Sequence, residues 1–344
     1  MRKFLTYVLK NSELIHGLYN WYYRTRNKSS FYEEIERRKT LSIFDYKMLA
    51  QPIPFYPIEK QKDSNYYGHA LALKKYAGID KIASSLEHGI FLGNRITREQ
   101  TFRTIRSVIT MSGIREQAFK EHHVEKPIVA IGPYVHYADP LLTKDEYDSL
   151  KSELGKVLLV MPVHAGSKQS VSFDNNVLMD FVEKVRKDYD TVMVCLYFRE
   201  ILNAPQLVED YEKKGYRIVC AGYWYDLNFI NRLKSIIMLS DYVVSNKHGT
   251  NTGYCTYLGK PQTIVYDKNL VKQLNVYNSE TKKVRDAQVK EIEDAFSEYK
   301  MEITDYQKSI VDKYWGVSLI KSPHELYDVI KKMNDYEKKN ARYL

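Results

Sequence analysis

From about residue 155 to residue 266 the chain repeats one pattern, a short apolar run followed by an amphipathic segment. The runs are "KVLLVMPV", "DTVMVCLYF", "YRIVCAG", "DYVVS" and "PQTIVY". Between them, "NNVLMDFVEKVRKDY" places Val177, Leu178, Phe181, Val182 and Val185 at helical spacing, and "APQLVEDYEKKG", "LNFINRLKSIIMLS" and "TNTGYCTYLG" also read as helices. Five strands alternating with four helices leave room only for right-handed βαβ crossovers. The pattern therefore predicts an α/β fold with a doubly wound parallel sheet, and such sheets bind ligands beyond the carboxyl ends of their strands.

The loops at those ends are "HAGSKQS" (164–170), "FRE" (198–200), "GYWYD" (222–226) and "NKHGTNTG" (246–253). They share one edge of the predicted sheet. The last of them opens a helix, whose free N–H groups and positive dipole end favour a phosphate. Gly249 lets a ligand approach, and Thr250, Asn251 and Thr252 either donate to it or cap the helix. Ser245 and His248 flank the turn, and Lys247 adds a cation. Gly166, Ser167 and Lys168 lack the spacing of a P-loop but suit a phosphate or an acidic sugar. Arg199 can neutralise a diphosphate, with Glu200 orienting it or holding a sugar hydroxyl; a plain ion pair at a strand end reads equally well. Tyr223 and Trp224 offer faces for a base, or for packing on the next helix.

Elsewhere, "YYGHALALKKYAG" reads as a helix closed by Gly78, and "KIASSL" as a short strand turning at Glu87-His88-Gly89. The stretch 97–113 reads as a helix of mixed polarity, 128–131 as a buried strand, 30–50 as a helix and 286–344 as mostly helical. With 44% hydrophobic and 28% charged residues the chain is globular in composition. Cys195, Cys220 and Cys255 are scattered, which argues against a disulfide framework and for reduced thiols in a cytoplasm. No run of apolar residues is long enough to span a membrane, and no export leader is expected. Clustered ligand spacing for a metal is absent, so none is expected. The net charge of +9 favours an anionic partner. Residues 1–28 carry Arg2, Lys3, Lys10, Arg24, Arg26 and Lys28 against Glu13 alone, interleaved with Leu, Tyr and Trp. That composition suits either a helix lying on an anionic membrane surface or one packed on its own domain.

The stretch 217–265 resembles the nucleotide-binding half of the GT-B glycosyltransferases. Its carriers are the Gly222–Asp226 loop, the Ser240-Asp241 to Ser245 strand, the polar turn after it, and Gly259-Lys260-Pro261. Many members hold ribose with a Glu in the helix before Gly-x-Pro, where this chain has "TGYCTYLG". Glu87-His88-Gly89 is similar to the His-Gly loop that surface-polysaccharide enzymes place in the N-terminal domain. The resemblance implies two Rossmann-like domains with a cleft between them. They would comprise an acceptor-binding domain at 1–140, a nucleotide-sugar-binding domain at 141–285, and a helical segment at 286–344 packing back on both. It implies a metal-independent, cofactor-free glycosyltransferase that moves a sugar from a nucleotide-sugar to a lipid-linked glycan, with Glu87 or His88 as general base. Other readings are a teichoic-acid-type phosphosugar transferase, a nucleotide-sugar epimerase, or a non-catalytic basic protein binding membrane or nucleic acid. No nucleic-acid motif supports the last, so nucleic acid is not expected as a partner.

Overall fold

The computed structural model describes residues 7–8, 11–97, 101–162, 176–266 and 279–341. Helix α1 (Glu13–Lys39) opens the main body and α2 (His69–Ala77) follows, closed by Gly78 at φ 65°. A three-stranded parallel sheet then forms from β1 (Ser85–Leu86), β2 (Val108–Thr110) and β3 (Ile128–Ala130), in that order. Helix α3 (Gly113–Glu121) connects β2 to β3.

After α4 (Lys144–Leu154) comes the second sheet. Its strands are β4 (Val157–Met161), β5 (Thr191–Cys195), β6 (Arg217–Val219), β7 (Tyr242–Ser245) and β8 (Gln262–Ile264). The crossovers carry α5 (Asn176–Val185), α6 (Phe198–Asn203) with α7 (Pro205–Lys213), α8 (Phe229–Leu239) and α9 (Thr250–Tyr257). All pairings are parallel and the spatial order is β6-β5-β4-β7-β8, so the order reverses between β4 and β7. That is the doubly wound arrangement expected from the alternation, and its crevice lies at the reversal. Both faces of β4 are covered: Val157, Leu159 and Met161 enter one apolar cluster, and Leu158 and Val160 enter another. A strand buried on both sides needs a continuous apolar run, which is why "VLLVM" has no polar alternation.

The first of those clusters continues into the N-terminal sheet through Leu86, Ile109 and Ile131, so the two sheets share a core. The C-terminal helices α10 (Ser279–Phe296), α11 (Asp305–Trp315) and α12 (Pro323–Asn340) close over both units. Asn334 of α12 receives the Ala83 N–H at 2.8 Å and donates to the Lys81 carbonyl at 2.7 Å.

Two sequence expectations change. The expected helix at 97–113 is not formed: Val108, Ile109 and Thr110 are the central strand of the first sheet, all buried. Their β-branched side chains suit that pleated, two-sided burial. Helix α1 runs without interruption from Glu13 to Lys39, and only Tyr46–Leu49 is helical in the following ten residues, so the expected helix at 30–50 is split. In "WGVSLI", Trp315 ends α11, Gly316 takes φ 72° and Val317–Leu319 form a single 3-10 turn.

Candidate functional site

A cavity of about 490 Å³ lies where the carboxyl ends of both sheets meet. That is within the range of small-molecule sites. The second sheet supplies Met161 and Pro162 after β4, Cys195 to Tyr197 after β5, Ala221 after β6, and Lys247 to Asn251 after β7. The first unit supplies His88, Gly89 and Ile90 after β1, and Tyr67 and His69 at the start of α2. Phe229 and Leu233 of α8 and Tyr254 of α9 complete the wall. The strand-end rule therefore places the cavity at the reversal point, between two sheets rather than over one.

The turn after β7 opens helix α9 beside the cavity. Gly249 precedes the first residue of α9, and its N–H donates to Thr252 Oγ1 at 3.1 Å. Thr252 is thus the buried cap, and Thr250 and Asn251 are the ones that reach the cavity. Ser245 stays inside the strand end, donating to the Lys247 carbonyl at 3.3 Å. Burial, then Lys247, then Arg285 push the His248 imidazole down to about 4, which favours its neutral form. Burial and Arg285 likewise lower the Lys247 ammonium. Lys247 is a cation short of water and held near the cation Arg285, a balance that a nearby anion would relieve.

The loop after β1 is tied to this same turn. Ile90 N donates to Thr250 Oγ1 at 3.1 Å, and a Cβ on Gly89 would stand 3.4 Å from that oxygen. Gly89 has φ 92°, the left-handed conformation that its place in the turn requires. His88 and His248, far apart in sequence, therefore line one cavity. Glu87 does not. Both its oxygens accept from Arg115, with Nε at 2.9 Å from Oε2 and Nη2 at 2.5 Å from Oε1, and both side chains are almost wholly buried.

Arg199, Glu200, Tyr223 and Trp224 are near the cavity in sequence but not in its wall. Arg199 lies over the Trp224 ring, 5.0 Å from its centre. Tyr223 packs on Phe198 at 4.5 Å, and Trp224 on Tyr66 at 5.4 Å. Trp224 also accepts the Tyr67 N–H on its carbonyl at 2.7 Å. In this structure the loop after β6 joins the two units by packing. Gly166, Ser167 and Lys168 lie outside the described residues.

Among the polar wall residues that no sequence motif marked are Tyr67, His69 and Tyr197. The hydroxyls of Tyr67 and Tyr197 meet at 3.0 Å across the two units. Burial, then His88, push the His69 imidazole down to about 3. The only signal for His69 was Gly68-His69 at a helix start. Among the described residues the wall holds His69, His88, His248 and Lys247, and no Asp or Glu. Among the described residues, no group of three or more His, Cys, Asp or Glu is placed to hold a metal ion.

No protein-family model matches the chain, and no curated protein matches it in sequence. Solved structures match in backbone course. The wall teichoic acid polymerase TagF is 13% identical with a TM-score of 0.43, over 76% of this chain and 70% of that one. The UDP-GlcNAc 2-epimerase of Methanocaldococcus jannaschii is 9% identical with a TM-score of 0.43, over 78% of this chain and 72% of that one. The two-sheet architecture rests on the strand order and pairing described above.

Proposed function

We propose that the chain is a transferase acting on a nucleotide-sugar, which it uses to glycosylate a lipid-linked glycan in surface polysaccharide assembly. The observation that carries this reading is the turn Lys247–Asn251, which opens a helix into a cavity between two parallel sheets. In the proposed reaction the acceptor hydroxyl oxygen bonds to the anomeric carbon as the bond from that carbon to the diphosphate breaks. The leaving diphosphate keeps the electron pair, and the α9 N-terminus, Lys247 and His248 stabilise its charge. His88 takes the acceptor proton. With both oxygens of Glu87 engaged by Arg115, the imidazole is the member of the pair that reaches the cavity. Lys168 and Arg199 belong to the proposal as further cations for the diphosphate.

Calorimetric titration with UDP, GDP, CDP and CMP, followed by hydrolysis assays of their sugar conjugates, tests the reading. One of them is expected to bind, and His248→Ala is expected to weaken it about tenfold. No binding by any of them refutes the reading. Product carrying phosphate would mark a phosphosugar transferase, and conversion without acceptor an epimerase.

A peripheral position on an anionic membrane goes with a lipid-linked acceptor. Leu14, Leu18 and Trp21 form an exposed stripe on α1, at 71%, 51% and 62% exposure. Arg26 and Lys28 are exposed in the next turns. The other side of α1 packs through Phe31 and Ile35. No helix among the described residues is long and apolar enough to cross a membrane.

A further inference from the structure

One end of the cavity has no role in the reaction just described. Helix α2 opens there at Gly68-His69, and its N-terminus is fixed with unusual backbone geometry. Tyr67 and Gly68 both take positive φ, 60° and 69°. A non-glycine residue in that region is uncommon and persists only where its surroundings hold it. The hold is visible. Tyr67 N donates to the Trp224 carbonyl at 2.7 Å, and Ile230 N donates to the Tyr67 carbonyl at 3.2 Å. Any side chain on Gly68 would meet the Leu227 carbonyl oxygen, since a Cβ there would lie 2.1 Å from it. The first turn of α2 is thus anchored on the C-terminal unit beside the cavity.

His69 is its first residue. Only 6% of it is exposed, its ring lies 4.7 Å from Tyr134 and 5.7 Å from Tyr67, and it lines the cavity. Its Nδ1 is buried without a hydrogen-bond partner. An orphaned buried polar atom costs about 1–3 kcal/mol, which a packed core rarely tolerates but a ligand can recover. The groups facing this ring are Tyr67, Tyr134 and His88, none of them an acid. Glu87, next to His88 in sequence, is paired with Arg115.

The described wall therefore takes in the first residues of two helices, His69 of α2 and Thr250 and Asn251 of α9, one helix from each unit. We propose that the α2 N-terminus with His69 is a second oxyanion subsite, which takes a carboxylate or phosphate carried by the sugar or by the acceptor. The substrate would then be anionic at both ends, a diphosphate at α9 and a second acid at α2. The proposal rests on the nucleotide-sugar reading only for the identity of the first end.

The test is nitrogen-detected histidine NMR on the full chain at pH 6, with the His69 ring assigned by His69→Gln. If that variant does not fold, sequential backbone assignment of the wild type serves instead. Inorganic phosphate and acetate are the probes, added separately. The expected result is that at least one moves the His69 ring nitrogens from the neutral toward the imidazolium pattern. The same response is expected in Lys247→Ala/His248→Ala. A response to phosphate alone assigns a phosphate, and a response to acetate assigns a carboxylate. A His69 ring unmoved by either probe overturns the proposal, as does a response that vanishes in the double variant. If no nucleoside phosphate binds the wild type yet His69 still responds, the transferase reading fails and the subsite stands.

Discussion

Replacing Gly253 by alanine is a direct test of how the phosphate end of the cavity is held. In an open helix this change stabilises by about 1 kcal/mol, because alanine loses less backbone freedom. Here a Cβ would lie 2.3–2.4 Å from three atoms of the Trp315 indole. Ordinary contact begins near 3.4 Å, so ring or helix must move by about 1 Å. The ring cannot swing into water, because Trp315 is fully buried. It is also fastened, its Nε1 donating to the Thr250 carbonyl at 3.1 Å in the first turn of α9. Overpacking of this kind costs about 1–3 kcal/mol, and losing the indole bond adds about 1 kcal/mol. The clash therefore outweighs the propensity gain, and Gly253→Ala is expected to destabilise by about 1–3 kcal/mol. Gly17 is the control: it is exposed on α1 and a Cβ there meets nothing within 4 Å. Gly17→Ala is expected to stabilise by up to about 1 kcal/mol. Urea unfolding followed by tryptophan fluorescence reads both midpoints. A Gly253→Ala protein as stable as the parent, or the same sign of shift for both variants, would refute the reasoning.

Further expectations concern the buried charges and the surface. Glu87→Gln leaves Arg115 without a counter-charge, so a loss of about 3–5 kcal/mol of stability is expected; a stable variant that only loses turnover would instead make Glu87 the base. The His69 folded-state value of about 3 lies below the ordinary 6.5, so the unfolded chain binds its proton first. The stability this group contributes is complete above pH 6.5 and falls with acid, by about 2 kcal/mol at pH 5. His69→Gln should flatten that part of the urea-midpoint profile between pH 7 and 5, and an unchanged slope would contradict it. Trp21→Glu is expected to abolish sedimentation with phosphatidylserine vesicles while leaving the melting temperature unchanged. Equal binding by variant and parent would remove α1 from the membrane surface.

The C-terminal sheet was legible because its strands are long enough and buried enough to print apolar runs, and its crossover helices print a 3.6-residue period. Val157–Met161 and Asn176–Val185 show both signals. In the N-terminal sheet the runs at 81–86 and 128–131 read as strands, and Ser85–Leu86 and Ile128–Ala130 form there. Val108–Thr110 was not legible: three residues show no period, and their strand geometry depends on the core shared with the second sheet. The turn at 246–253 announced itself by composition, and the structure places its His248, Gly249, Thr250 and Asn251 in the cavity wall. Arg199 and Trp224 show the limit of that method: a cation beside an aromatic reads the same whether it awaits a ligand or stacks on its neighbour, as it does here. His69 showed only as a residue at a helix start, since its setting comes from Tyr134 and His88, distant in sequence.

The hydrogen bond from Ile90 N to Thr250 Oγ1 also constrains how such a chain can diversify. It joins the loop that carries His88 to the residue that opens the helix at the opposite half of the cavity. An insertion or deletion around Gly89 would therefore disturb the Thr250 side chain as well as the imidazole beside it. In lineages of this fold that keep the bond, change in one substrate half should be accompanied by compensating change in the other, through paired substitutions at 88–90 and 248–251.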